Sequence, residues 1–148
     1  MVGGAEIVWD LLKNDADVAA AVSSDSDGNV AIYTDHVPQH ATLPFIVLFT
    51  ISHVPVESQD GFSGVFIERM QVDVYADMPD TVRDVAQKVF MALMHPPNQD
   101  VQGNEMQDIA YLDGQGFAVD DGDADEVPLN RYSMDFRVSY NASKPSFQ

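Results

Sequence analysis

Residues 30–49 read VAIYTDHVPQHATLPFIVLF, and this stretch predicts more of the fold than any other part of the chain. Pro44 has no amide proton to donate and forces extended backbone on Leu43, so a strand can begin there but no earlier. From Phe45 to Ile51 only one side chain is polar, which is typical of a strand covered on both faces. Two helical regions of a small chain can cover one face. We expect a neighbouring subunit to cover the other.

The remaining segments alternate between helical and strand patterns. Apolar residues recur every three or four positions in the helical segments, which we place at residues 5–13, at a short stretch after Asn14 or Asp15, and at residues 79–94. Apolar and polar residues alternate at 131–140 and in the second half of 65–76, where we place strands, and we place further strands at 30–34, at 45–54 and, on a weaker pattern, at 105–112. The segment ESQDGFSG at 57–64 predicts a hairpin tip, and 113–130 predicts an acidic loop. Together they predict an α+β fold, a mixed and mostly antiparallel sheet with helices packed on one face in a two-layer sandwich.

Length and charge restrict the classes of function. The 148 residues suit a single domain over residues 1–148, with a flexible tail from about 142 to 148. A formal net charge of −17 repels phosphate backbones and argues against DNA binding. Such an acidic surface suits either a saline habitat or a pore through which DNA slides without sticking. The chain has no apolar run near the ~20 residues that cross a bilayer, so no membrane association is expected.

No group of residues predicts catalysis or a cofactor. The absence of cysteine excludes disulfides, thiolate metal sites and cysteine nucleophiles. His36 and His40 have the spacing of a metal-binding pair on a helix, but Pro38 between them excludes that helix. The acidic segments at 25–28 and 121–125 do not align with the helical calcium loop, which needs an acid at position one and Glu at position twelve. We therefore expect no enzyme, no catalytic residue, no cofactor and no metal. A small acidic calcium-binding module with an irregular site stays open as an alternative.

The order of the segments resembles one family, the tail terminator (tail completion) proteins of long-tailed bacteriophages. The resemblance is carried by three segments, IYTDHVPQHATLPFIVL at 32–48, RMQVDVYADMPD at 69–80 and NRYSMDFRVSY at 130–140. It covers roughly residues 5–95 and 129–142, and each motif is a structural pattern rather than a chemical one. The chain departs from the family pattern in an acidic insert at 23–29 and in the acidic loop at 113–130.

The resemblance implies a structural protein of the virion. Members of this family form a ring, here expected to be a homohexamer, that caps the tail tube, ends tail polymerisation and provides the head-joining surface. The implied partners are the tail tube protein and a neck or stopper protein, while DNA passes through the lumen without specific binding. The implied location is the tail–neck junction of the virion, after assembly in the host cytoplasm. A neck or stopper (head–tail connector) component of similar fold is the alternative.

Contacts with partners are expected in three places. These are the hairpin tip at 57–64, the loop at 38–42, and the second face of the strand that begins at Phe45. Arg69 and Arg137 are scarce cations on strand faces, which could pair either with a neighbour's acids or across strands within the subunit. The full set of candidate interface residues is Pro38, Gln39, His40, Ala41, Thr42, Ile46, Leu48, Glu57, Ser58, Gln59, Asp60, Gly61, Phe62, Ser63, Gly64, Arg69 and Arg137.

Overall fold

The α+β architecture predicted from the sequence is confirmed by a computed structural model of the protein, which describes residues 3–24, 27–39, 41–59, 61–94, 100–101, 104–119 and 129–141. The helices in this part of the chain are α1 (Gly4–Lys13), α2 (Ala16–Ala21) and α3 (Pro79–Met94). The strands are β1 (Ile32–Thr34), β2 (Phe45–Ser58), β3 (Gly61–Ala76), β4 (Asp100–Val101), β5 (Asn104–Val119) and β6 (Leu129–Asn141). No helix among these residues is both long enough and apolar enough to cross a membrane.

The described strands form one sheet in the order β1-β2-β3-β6-β5-β4. β1 runs parallel to β2, and the other neighbouring pairs are antiparallel. The predicted alternation in β3 is confirmed, because Met70, Val72, Val74 and Ala76 are all fully buried. They face the helices together with the alternate residues of β6, including Phe136 and Val138. The hydrophobic core therefore lies between one face of the sheet and the three helices.

The helices α1 and α2 begin where the sequence supplies a capping group. The Glu6 carboxylate accepts a hydrogen bond from the Gly3 backbone N–H at 3.0 Å, which satisfies an amide that α1 cannot bond internally. Asp15 caps α2 by accepting from the Asp17 and Val18 backbone N–H groups, both at 3.0 Å. The predicted apolar stripes also meet the sheet, and their most buried members are Ile7, Val8, Leu11, Leu12, Val82, Val85, Ala86, Val89 and Leu93.

The hairpin of β2 and β3 is longer than the sequence predicts. β2 continues through Pro55 to Ser58, although Pro55 was expected to end the strand. A proline is tolerated there because β1 pairs with β2 only as far as Leu48, which leaves the later residues on an edge where a missing donor breaks no ladder. β3 begins at Gly61, whose φ of +108° suits glycine, and Ser58 pairs directly with Gly61. The tip is therefore shorter than residues 57–64.

The predicted loop at 113–130 is partly strand. β5 extends to Val119, and β6 begins at Leu129. Asp113, Gly114 and Gly116 have poor strand propensity, but pairing with the strongly alternating β6 outweighs that local preference. The predicted helix stop at 95–97, the central acidic loop at 120–128 and the C-terminal tail at 142–148 lie outside the described residues.

Candidate assembly interface

The first part of β2, from Phe45 to Leu48, is covered on both faces by groups of its own chain, whereas Ile51 at the end of the predicted apolar run is 52% exposed. Phe45 and Val47 are buried on the face opposite the helices, in a cluster whose other members are Ala31, Tyr33, Val37, Ala41, Leu43, Phe49 and Tyr75. The Phe45 ring stacks on Tyr75 with 5.1 Å between ring centroids. The expectation that a neighbouring subunit must cover this face is therefore wrong for Phe45 and Val47.

The sequence predicted that Ile46 and Leu48 lie on the second face of β2, where a partner would contact them. In the structure they lie on the face that the helices cover. Both are 0% exposed and belong to the core under the helices. Strand alternation separates these two residues from Phe45 and Val47, but it does not say which face the helices cover. Because their side chains are enclosed by the chain's own helices, they have no surface to offer a partner in this fold.

The loop before Pro44 is held against the sheet and exposes its polar side. Asp35 turns the chain at the end of β1 with φ +62°, a left-handed conformation that aspartate tolerates, and its N–H donates to the Leu48 carbonyl at 2.9 Å. The Ser23 hydroxyl donates to the Thr42 carbonyl at the other end of the loop. Among the predicted contact residues here, Pro38, Gln39 and Thr42 are exposed and Ala41 is half-buried, while His40 lies outside the described residues.

The two candidate arginines form ion pairs within the chain. Arg69 Nη2 lies 2.6 Å from Asp135 Oδ2 on β6, and Arg137 Nη2 lies 3.8 Å from Asp108 Oδ2 on β5. These are the cross-strand pairs that the sequence analysis gave as the alternative to pairing with a neighbour's acids. Both arginine side chains are about half exposed, so each pair contributes little to stability, about 0–1 kcal/mol.

A third ion pair, between Arg131 and Asp73, lies on the same face of the sheet as these two, and its carboxylate is buried. The sequence did not predict this pair. Asp73 is 1% exposed and accepts hydrogen bonds from Arg131 Nη2 at 2.8 Å and Nε at 3.2 Å. Gln71 Nε2 donates to both carboxylate oxygens, at 3.0 and 3.1 Å. Asp73 lies opposite Ser133 and Arg131 lies opposite Tyr75, so the acid and the base are diagonal neighbours on β3 and β6, and this register was not visible in the sequence.

The distal part of the β2–β3 hairpin projects beyond the rest of the described sheet. β3 pairs with β6 only from Val65, which lies opposite Asn141. Glu57 and Ser58 therefore pair only with the start of β3 among the described strands. Glu57 and Gln59 are exposed, as expected for a tip that contacts a partner. Asp60 and the side chains of Ser58, Phe62 and Ser63 lie outside what the structure describes.

A buried carboxylate anchors the base of this hairpin to α1. Glu68 is 5% exposed, its Oε1 accepts from the Tyr140 hydroxyl at 2.8 Å, and its Oε2 accepts from the Gly4 backbone N–H at 2.9 Å. His53 Nε2 lies 3.5 Å from Oε1. Burial raises the pKa of Tyr140 well above its usual value, and the Glu68 carboxylate raises it further. The sequence signal was a single acid in the inward-facing register of β3, two residues before Met70.

Gly4 makes this anchor possible. A Cβ at position 4 would lie 2.3 Å from Glu68 Oε2, which is closer than any real side-chain contact. The first turn of α1 therefore approaches the carboxylate through its bare backbone, and the positive end of the helix dipole favours the negative charge. The arrangement fixes the N-terminal helix on the strand that forms the hairpin.

A groove opens on the helix side of the sheet, at the end away from β2. It has a volume of about 410 Å³ and is lined by Arg83, Ala86, Gln87, Phe90, Tyr111, Tyr132 and Met134. Phe90 and Tyr111 meet edge to face with centroids 5.1 Å apart, and Tyr111 also contacts Phe136. Burial raises the pKa of Tyr111, and the neighbouring Tyr132 raises it further. Sequence reasoning missed the groove because it placed β5 only weakly.

Among the residues described, no group of three or more histidines and acids is placed to hold a metal ion. His40, Asp25 and the acids at 121–125 lie outside the described residues, so the irregular calcium site considered above stays an untested alternative. The surfaces described here consist of projecting, apolar and ion-paired groups, which suit protein contacts.

Comparisons with known proteins give a consistent result. The family model for tail completion protein gp17 matches residues 7–141. No curated protein matches the chain. One solved structure with the same fold is a chain from the virion of a native gene transfer agent (GTA) particle, with a TM-score of 0.67 and 19% sequence identity. The alignment covers 91% of this chain and 92% of that one.

Proposed function

We propose that this chain, which belongs to the tail completion protein gp17 family, forms a ring that caps the tail tube of a phage-like particle. The observation that carries the proposal is the family match, since residues 7–141 include nearly the whole described fold. The family and the shared fold with a GTA virion chain support a structural role in the tail. The finer steps, capping the tube, ending its growth and joining the head, form our proposal.

The proposed mechanism is binding without chemistry. One face of the ring fits the last ring of tube subunits, and the other face lacks the surface on which a further tube ring would assemble. Growth of the tube therefore ends, and the outer face becomes the surface for the neck or stopper protein of the filled head. A contact between two different surfaces of the same chain, closed by rotation, produces such a ring, which we expect to be six-fold.

Two features of the chain support this mechanism. The distal hairpin projects beyond the described sheet, its base is held by the Glu68 anchor, and Glu57 and Gln59 are exposed near its tip. We assign this tip, together with the exposed side of the Pro38–Thr42 loop, to contacts with the tube or a neighbouring copy. The formal charge of −17 per chain gives a ring wall that repels phosphates, which lets DNA pass through the lumen without binding.

The length of the tails tests the proposal. Particles would be assembled with the gene deleted and then with the gene restored, and tails would be measured by negative-stain electron microscopy. We expect the deletion to give tails of irregular, excessive length without heads, and restoration to give capped tails of uniform length. Tails of normal length that fail to join heads would instead show a neck or stopper component. Normal, head-joined tails in the deletion would contradict both.

A further inference from the structure

We propose that the uncharged edge of β2, from Phe49 to Val56, docks in the α3–β5 groove of a second copy of this chain. The inference deepens the proposed ring by naming the two surfaces that meet in it, and it rests on that proposal for its biological setting. The occupant of the groove is a neighbouring copy, and the contact is made by side chains.

The first argument is the distribution of charge. Residues 36–56 contain none of the chain's 24 acidic or 7 basic residues. Two copies that each carry −17 repel one another, and a contact that brought carboxylates together would add to that repulsion. The edge of β2 is the part of this acidic surface where a second copy can approach without such a penalty.

The second argument is the exposure of that edge. β1 covers β2 only as far as Leu48, and beyond it no described strand lies on the outer side. Ile51 and Val54 are 52% and 54% exposed there. The pairing of β2 with β3 shifts register between Thr50 and Ser52 and again between Pro55 and Glu57. These irregularities, together with Pro55 itself, discourage simple strand addition. The exposed aliphatic side chains are therefore the groups available for docking.

The third argument is the complementary character of the groove. β3 and β6 separate β5 from β2, so the groove lies in the opposite half of the sheet. Its aromatic wall is formed by Phe90 and Tyr111, whose rings meet edge to face. At the other end of the groove, Arg83 makes no ion pair with any residue that the structure describes.

The spacing of the groups agrees on the two surfaces. Val54 and Glu57 are three residues apart on an extended strand, which is about 10 Å, and the register shift between Pro55 and Glu57 interrupts the strict alternation that would place them on opposite faces. Arg83 and Phe90 are seven residues apart on α3, which is also about 10 Å. With Val54 against the aromatic wall, Glu57 reaches the Arg83 guanidinium. The two surfaces belong to different parts of the chain, so the contact is head to tail and can close into a ring.

Disulfide cross-linking tests the contact directly, because the chain has no cysteine of its own. The paired variant V54C with Q87C would be oxidised as concentrated purified protein and in assembled particles, and then resolved on a denaturing gel without reductant. We expect a ladder of oligomers that ends at a closed ring. Each single variant gives at most a dimer, and V54C with K13C, on an exposed position of α1, gives no ladder.

Charge exchange provides a second readout in the same assay. The control position here is Lys88 in place of the Lys13 used above. E57R or R83E alone should reduce the cross-linked fraction up to about fivefold, as expected for a partly exposed ion pair. E57R with R83E should restore it. E57R with K88E should not, because Lys88 already pairs with Asp84 on its own helix at 2.8 Å.

The remaining outcomes of these experiments distinguish a failure of the docking contact from a failure of the proposed capping role. Tails of normal length in particles that show no Val54–Gln87 cross-link would overturn the inference and leave the capping role standing. A cross-link from Val54 to a different protein would also overturn it, because the groove would then not be the site that this edge occupies. A full ladder from a chain whose deletion leaves tails unchanged would support the contact and refute the capping role.

Discussion

Replacing Gly4 by alanine should lower the free energy of unfolding by about 2 kcal/mol, although alanine is the better helix former. The new Cβ would lie 2.3 Å from Glu68 Oε2, so the carboxylate must withdraw. Withdrawal breaks the 2.9 Å bond from the Gly4 N–H and strains the 2.8 Å bond from the Tyr140 hydroxyl. A hydrogen bond to a charged group contributes about 1.5–3 kcal/mol. The gain in helix propensity of at most about 1 kcal/mol offsets only part of that loss.

A double-mutant cycle separates this cause from a general effect on the helix. In the Glu68→Ala background the carboxylate is absent, so Gly4→Ala should be neutral or stabilising by up to about 1 kcal/mol. The coupling between the two positions should then be about 2–3 kcal/mol. Urea unfolding followed by the fluorescence of Trp9 measures it, because Trp9 is the only tryptophan and its Nε1 donates to the Ile32 carbonyl at 3.2 Å. An equal loss of stability from Gly4→Ala in both backgrounds would refute the proposed contact between α1 and Glu68.

Three further predictions address the remaining groups. Because the pKa of Tyr140 is raised in the folded state, the Tyr140 contribution to stability is complete below the usual pKa of 10.0 and is lost as the pH rises above it. The free energy of unfolding of Tyr140→Phe should therefore fall less steeply with pH in the alkaline range. An unchanged pH profile would contradict this. Arg131→Ala should destabilise the protein by about 3 kcal/mol in chemical denaturation, since it leaves the buried Asp73 carboxylate without its arginine partner, whereas Arg137→Ala should change stability by less than about 1 kcal/mol, and equal effects would refute the distinction. Calcium should leave the melting temperature unchanged, and a rise of several degrees would instead support the calcium-binding alternative.

The sequence predicted the parts of the fold that repeat with a regular period. α3 was placed at its observed bounds, and the inward residues of β3 were identified, because a long stripe of period 3.6 or 2 has one consistent reading. The lengths of β2 and β5 were wrong because Pro55, Gly114 and Gly116 are locally unfavourable in strands. Pairing with β3 and β6 overrides those preferences, and pairing partners are not visible in one sequence.

The candidate interface was harder to predict for a related reason. Ile46 and Phe45 are adjacent and both apolar, and only the tertiary structure shows that helices cover the first and the chain's own loop covers the second. The groove at Phe90 and Tyr111 joins a helix to a strand distant in the chain, so no local pattern indicates it. Glu57 is exposed, and it lies near the end of β2, beside the turn between the two strands that the sequence predicted.

Charge and assembly can be connected through the edge of β2. Copies that each carry a formal charge of −17 repel one another, and salt screens that repulsion over a Debye length of about 8 Å at physiological ionic strength. At shorter range the outcome depends on which groups meet, and along residues 36–56 no carboxylate is present to oppose contact. An acidic surface with an uncharged edge thus favours association through that edge. Such selectivity is what a ring requires, because any second contact of comparable strength would lead to open chains or aggregates instead of closure.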